Sequence, residues 1–288
     1  STETTETKAS TETTESKPTT ETNGSDTTAS QTHVVGNVTT MTIDMPQFDD
    51  RSRTIRVYTP PGYETSDRSY PVVYMQDGQN LFDNRTAFKE EWRVDETMER
   101  LADSGELSAI VVGIDNGGAQ RDDEYIPWPF ENGNMGGEGD QYAAFLAETL
   151  KPRIDERYRT EPNETAIVGS SFGGAISIYT AFEYPNTFQY VGSMSTSAPV
   201  EPLFQYMNGT EQGPDRVYLD WGTEETDRPE RFVSLQREFA QLVEDRGYER
   251  GETLLTVEDE GGVHRETAWR DRFPRAVQWL LKGVDPAS

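Results

Sequence analysis

The chain contains no cysteine, which removes disulfide frameworks, thiolate metal sites and a cysteine nucleophile together. Histidine is almost as scarce. His33 and His264 are the only two in 288 residues, too few for a His-based transition-metal site. Lysine numbers five against 21 arginines, and all cations together number 26 against 52 acids. A formal charge of −26 sets the surface against nucleic acid and anionic membranes, both of which repel it. No apolar run reaches the length of a membrane span, so the domain is not expected to insert into a bilayer. Many carboxylates with few lysines suggest a protein kept soluble in concentrated salt, where screening weakens self-repulsion; an acidic mesophilic protein carries the same signature.

Large apolar residues are also missing from residues 1–33, which hold no Leu, Ile, Val, Phe, Tyr or Trp. This Thr/Ser/Glu-rich segment cannot bury enough apolar area to offset chain entropy, and it reads as a disordered tail or stalk. Such a stalk, a first residue that is Ser rather than Met, and five N-x-Ser/Thr sequons together favour an extracellular or cell-surface tethered protein. A cytoplasmic location is the alternative. Six of the 52 acids lie in this segment, so the acidity belongs mainly to the part that follows.

Residues 34–288 have globular composition. Strand-like runs occur at 38–45, 54–58, 72–76, 109–114, 166–169, 190–194, 217–221 and 253–257. Helical spacing occurs at 94–102, 141–158, 175–183, 230–246 and 267–281. The first strands follow one another closely, as in hairpins, and afterwards strand and helix alternate. That rhythm predicts an α/β fold: a doubly wound, mostly parallel eight-stranded sheet with helices on both faces.

The segment ETAIVGSSFGGAISIYTAFEYP carries the chemistry. A strand runs into Gly169-Ser170-Ser171-Phe172-Gly173, and a helix follows, which is G-x-S-x-G in its informative setting. The turn lifts the Ser171 hydroxyl clear of the sheet, and the helix start aims amide donors at a developing oxyanion. A serine nucleophile needs a base. With His33 in the tail, His264 is the one candidate, on a Gly-rich loop after the last strand and before the last helix. The third member is a carboxylate between strand 217–221 and His264 that fixes the imidazole tautomer. Glu224, Glu225 and Asp227 all qualify, while Asp220 lies inside the strand pattern and is expected to point away or support the turn.

These residues resemble the esterase D-like branch of the α/β-hydrolases, which includes S-formylglutathione hydrolases, feruloyl and acetylxylan esterases, siderophore trilactone esterases and mycolyltransferases. The resemblance rests on YPVVYMQDGQNLFD, AIVVGIDNGGAQRDDEYIPW, IVGSSFGGAISIYTAFEYPNTFQYVGSMSTS, YLDWGTEE and GGVHRETAWRDRFPRAVQWLL. It implies a G-T-x-D/E turn before the acid, which maps onto Gly222-Thr223-Glu224-Glu225 and selects Glu225. It also implies an oxyanion hole built from the backbone N–H groups of Phe172 and Gln79, with Gly78 allowing close approach of the loop to substrate.

Tyr125, Trp128 and Trp92 are candidates for lining the substrate pocket. The Gly-rich stretch 132–139 lacks the lysine and the strand–turn–helix setting of a phosphate loop, and the acidic clusters lack EF-hand spacing. The expectation is therefore a cofactor-free serine esterase acting on a small-molecule or carbohydrate ester. Acyl transfer, lactone or siderophore ester cleavage on the same triad, and a non-catalytic surface binding protein of hydrolase fold, are the alternatives.

Overall fold

A computed structural model describes residues 34–130, 133–197 and 200–287. The predicted tail, with His33, lies outside the described residues, as does part of the Gly-rich stretch.

Eight strands form one sheet: β1 (Asn37–Asp44), β2 (Ser52–Thr59), β3 (Tyr70–Gln76), β4 (Ile110–Ile114), β5 (Thr160–Ser170), β6 (Tyr190–Met194), β7 (Arg216–Gly222) and β8 (Leu254–Asp259). Their spatial order is β1-β2-β4-β3-β5-β6-β7-β8. The β1–β2 and β2–β4 pairs are antiparallel, and the remaining five pairs are parallel. The helices are α1 (Val94–Asp103), α2 (Arg121–Tyr125), α3 (Gly139–Ala144), α4 (Lys151–Arg157), α5 (Phe172–Glu183), α6 (Val200–Gly209), α7 (Pro229–Asp245) and α8 (Glu266–Lys282). A π-helical segment, Phe145–Leu150, joins α3 to α4.

The sheet forms because its parallel strands are apolar on both faces and must be covered on both. Side chains alternate faces with the period of two that a strand imposes. Val72, Tyr74, Val112, Ile167, Val191 and Leu219 face one core with Tyr142, Phe145, Ile176 and Phe239. Val73, Met75, Val111, Val168 and Tyr218 face the other, packed on Met98 of α1 and Trp269, Phe273 and Trp279 of α8. This is an α/β-hydrolase fold, as the alternating pattern predicts.

Two helices have no counterpart in the sequence reading. The segment 121–125, outside the predicted helical spacings, forms α2. Buried ion pairs anchor it: Glu124 accepts from Arg53 Nη2 at 2.7 and 2.8 Å beneath β2. Helix α6 has only ten residues, with Pro202 in its first turn and Leu203 and Met207 buried four apart. Its pattern is too short to stand out.

Candidate active site

Parallel strands in an open α/β sheet deliver their following loops to one edge, and the site forms there. Strand β5 turns into α5 at Ser171, whose backbone sits at φ 56°, ψ −126°. This conformation is unfavourable for a residue with a side chain. Its surroundings hold it: Ser171 N–H donates to Met194 C=O at 2.9 Å, and Ser197 N–H donates to Ser171 C=O at 3.2 Å. The flanking glycines are required sterically. A Cβ on Gly169 would lie 2.2 Å from the Gly173 carbonyl oxygen, and one on Gly174 would lie 2.3 Å from Ser193 Oγ.

The loops after β7 and β8 are tied together along their backbones. Thr223 N–H donates to Asp259 C=O at 3.0 Å, and Glu224 N–H donates to Gly262 C=O at 2.9 Å. Gly222 approaches Gly262 so closely that a Cβ would lie 2.2 Å from the Gly262 carbonyl oxygen. This clamp sets Glu225 opposite His264, with Nδ1 2.8 Å from Glu225 Oε2. Glu224 and Asp227 are exposed, whereas the Glu225 side chain is fully buried. The other carboxylate oxygen, Oε1, accepts from the Gly222 N–H and the Ser195 hydroxyl.

Behind Glu225 lies a polar cluster that the sequence did not announce. Ser195 Oγ receives Trp269 Nε1 at 2.8 Å and Arg272 Nη2 at 2.9 Å. Arg272 also stands 3.2 Å from Asp220, 3.4 Å from Asp259 and 3.7 Å from Glu225, one cation amid three carboxylates. Asp220 is fully buried, and burial pushes its carboxyl up to about 7 despite the opposing pull of Arg272 and the Tyr218 hydroxyl. The strand pattern predicts that Asp220 points away or supports the turn; its side chain meets the Tyr218 hydroxyl at 3.0 Å and Arg272, not His264.

On the opposite wall, the loop after β3 forms a short 3-10 turn, Gly78–Asn80, entered through Asp77 at φ 55°. Gly78 is also required sterically on the side that faces the sheet. A Cβ there would lie 2.6–2.8 Å from backbone atoms of Gly113, Ile114 and Asp115, so its bareness lets the loop press against β4. Arg121 grips both Asp77 oxygens at 2.7 and 2.8 Å, and Asn116 Nδ2 donates to Asp77 Oδ1 at 2.7 Å. Burial works against the Arg121 charge, but Asp77 prevails and holds the guanidinium above its usual range.

A cavity of about 550 Å³ opens between these walls, and Ser171, His264, Gln79, Asn80, Asn116 and Arg121 line it together with Glu266 and Trp269. Phe172 begins α5 directly after Ser171, so its N–H is one of the helix donors that lack an intrahelical acceptor. The three aromatic pocket candidates are placed elsewhere. Tyr125 is fully buried and accepts from the Asp77 N–H at 3.2 Å, bracing the loop from behind. Trp92 is buried against Trp269 at 5.7 Å between ring centres, one layer behind the cavity wall. Trp128 packs on Tyr179 and Tyr206. All three lie in segments that follow β3 or β4, but their rings pack on the two cores.

The sheet order, the serine on a strained strand-to-helix turn and the histidine loop after the last strand define an α/β-hydrolase. More narrowly, the chain belongs to the esterase family: residues 47–280 match the family model described as "Putative esterase". It is a carboxylic ester hydrolase. It is 27% identical to the uncharacterized protein YbbA of Bacillus subtilis over 242 residues, 80% of this chain and 92% of YbbA. The ferri-bacillibactin esterase BesA of the same organism is 26% identical over 169 residues, 51% of this chain and 55% of BesA. The siderophore hydrolase EstA of Aspergillus nidulans superposes with a TM-score of 0.66 at 18% identity, covering 87% of this chain and 96% of EstA. Among the described residues, no helix is long and apolar enough to cross a membrane.

Proposed function

We propose that ester hydrolysis proceeds through an acyl-enzyme on Ser171, with His264 as base and Glu225 as its orienting acid. The observation that carries this reading is that Ser171 and His264 line one cavity while Glu225 Oε2 lies 2.8 Å from His264 Nδ1. A carboxylate on Nδ1 leaves Nε2 free to accept a proton. The Ser171 Oγ attacks the ester carbonyl carbon, its proton passes to Nε2, and the carbonyl electrons move onto oxygen. The N–H groups of Phe172 and Gln79 hold that oxyanion. As the intermediate collapses, the bond to the alcohol oxygen breaks and His264 protonates the departing alcohol. A water molecule, deprotonated by His264, then releases the acid and restores Ser171. The residues themselves supply every proton transfer, so no cofactor enters the cycle.

The test is Ser171→Ala, with an alkylphosphonate probe on the parent protein. The variant should lose at least about a thousandfold in kcat, and the probe should modify Ser171 alone. Folded Ser171→Ala that hydrolyses esters at the parent rate would exclude the mechanism. The Thr/Ser/Glu-rich N-terminal segment supports export, and the surplus of acids supports adaptation to high salt. An unfolding midpoint that fails to rise with KCl would remove the salt adaptation, and finding the protein in the cytoplasmic fraction of its source cells would remove export.

A further inference from the structure

Glu266 opens α8 two residues after His264 and lines the cavity beside it and Ser171. It is 7% exposed, yet among the described residues its carboxylate has no ion pair or hydrogen-bond partner. Its oxygens are not among the polar atoms sealed away in the core, so solvent reaches them, and the residue forms part of the cavity wall. A carboxylate at a helix start gains from the helix dipole on the surface too, which accounts for neither its burial nor its place on the cavity wall. Water can satisfy that carboxylate while the cavity is open, but a substrate that displaces the water must bring a donor of its own or leave the acceptor unpaired at a cost.

Other groups on the wall narrow what that donor is. Arg121 is neutralised at the same cavity by its two-point pairing with Asp77, and His264 becomes cationic in the transition state, so a substrate ammonium next to the base would be opposed by it. The side-chain oxygens of Gln79 and Asn80 accept from the Asn116 and Phe88 N–H groups, which leaves their amide nitrogens to act as donors toward the cavity. A hydroxyl can donate to a carboxylate and accept from an amide, whereas an ammonium cannot accept. We infer that Glu266 is a specificity-determining residue that accepts a hydrogen bond from a substrate hydroxyl, so that the enzyme selects esters bearing a hydroxyl close to the scissile bond. This rests on the assignment of Ser171 and His264 to the reaction.

Two isosteric pairs of esters test it and separate the two sides of the scissile bond. 2-Hydroxyethyl acetate against propyl acetate places the hydroxyl on the alcohol, and methyl 3-hydroxybutanoate against methyl 3-methylbutanoate places it on the acid. The parent enzyme should favour the hydroxylated member of at least one pair by about tenfold or more in kcat/KM. That ratio should fall several-fold in Glu266→Gln and approach one in Glu266→Leu. A ratio near one in the parent for both pairs overturns the inference, as does a parent-like ratio in either variant. Loss of both members alike in Glu266→Gln, whose side chain keeps the original shape, also overturns it. Ser171→Ala run on the same esters keeps the two claims apart: if it stays active the mechanism fails, and if it is inactive while the Glu266 variants keep the parent ratio, only this inference fails.

Discussion

The hydroxyl of Ser195 donates to Oε1 of Glu225, on the side of the carboxylate that His264 leaves open. Ser195 in turn receives Trp269 and Arg272, so two donors converge on one hydroxyl that passes a single hydrogen bond to the Glu225 carboxylate. A glutamate is one methylene longer than aspartate and has one more torsion to fix. The Ser195 hydroxyl and the Gly222 amide remove that freedom.

Deleting the Ser195 hydroxyl should therefore loosen the acid without touching the reacting atoms. Ser195 sits at φ 51°, where alanine bears the same backbone cost as serine, so Ser195→Ala isolates the hydroxyl, whereas Ser195→Gly would also relieve the backbone. We expect kcat to fall about tenfold. Two buried donors left without an acceptor should also lower stability by roughly 1–3 kcal/mol. Steady-state kinetics and denaturant unfolding read the two effects separately, and an unchanged kcat would show that Glu225 needs no such support.

Glu225→Gln tests the acid itself. The amide has the same shape but presents either a neutral oxygen or an N–H to Nδ1, and it cannot stabilise an imidazolium. Loss of the corresponding charge in a serine triad costs on the order of 10⁴ in kcat, and a fall of about 10³–10⁴ is expected here. Glu224→Gln and Asp227→Asn change exposed carboxylates and should stay within about twofold. If either of those two reproduced the Glu225 loss, the acid would have to be reassigned.

These residues also mark where the sequence stops being informative. The alternating buried strands are legible because parallel strands covered on both faces are apolar throughout, and 190–194 agrees end to end. Ser171 is legible through its strand–turn–helix setting, and His264 because the composition leaves no rival. Glu225 is not separable from Glu224 and Asp227 by residue type, and only the family's turn pattern ranks it. Ser195 and Arg272 are 77 positions apart in the chain, and no local pattern links them. Direction is the other missing quantity: Tyr125, Trp92 and Trp128 follow β3 or β4, but which way a ring turns depends on neighbours far along the chain.

Asp220 gives a stability prediction with a definite sign. Its carboxyl is pushed up to about 7 in the folded chain, above its ordinary value of 3.8, first by burial. The folded state thus holds a proton that the unfolded state has released between those values. Its contribution is complete below about pH 4 and is lost as pH rises through about 7. Asp220→Asn carries no such proton. Parent and variant should differ most in the parent's favour near pH 4–5, and the gap should shift toward the variant by roughly 1–4 kcal/mol on going to pH 8. Denaturant unfolding of both proteins at the two pH values measures it, and a pH-independent gap would mean that Arg272 keeps Asp220 ionised throughout.

Gly78→Ala addresses the wall that faces Ser171. The added Cβ would lie 2.6–2.8 Å from three backbone atoms of β4 and the residue after it, and backbone at the centre of a sheet cannot yield. The 3-10 turn must move instead, taking the Gln79 N–H away from where the oxyanion would form. Losing one such donor typically costs about 10²–10³ in kcat, and that is the expected loss. The ground-state carbonyl leans far less on that donor, so KM should change by only about a fewfold. The split distinguishes a displaced oxyanion donor from a blocked cavity, which would raise KM first. Gln79→Ala is the control, because the proposed donor is the main-chain N–H. Its side-chain oxygen accepts from the Asn116 N–H at 3.0 Å, so removing it should cost less than the backbone shift. If Gln79→Ala were the more damaging change, the side chain would be the working group and Gly78 would matter only for packing.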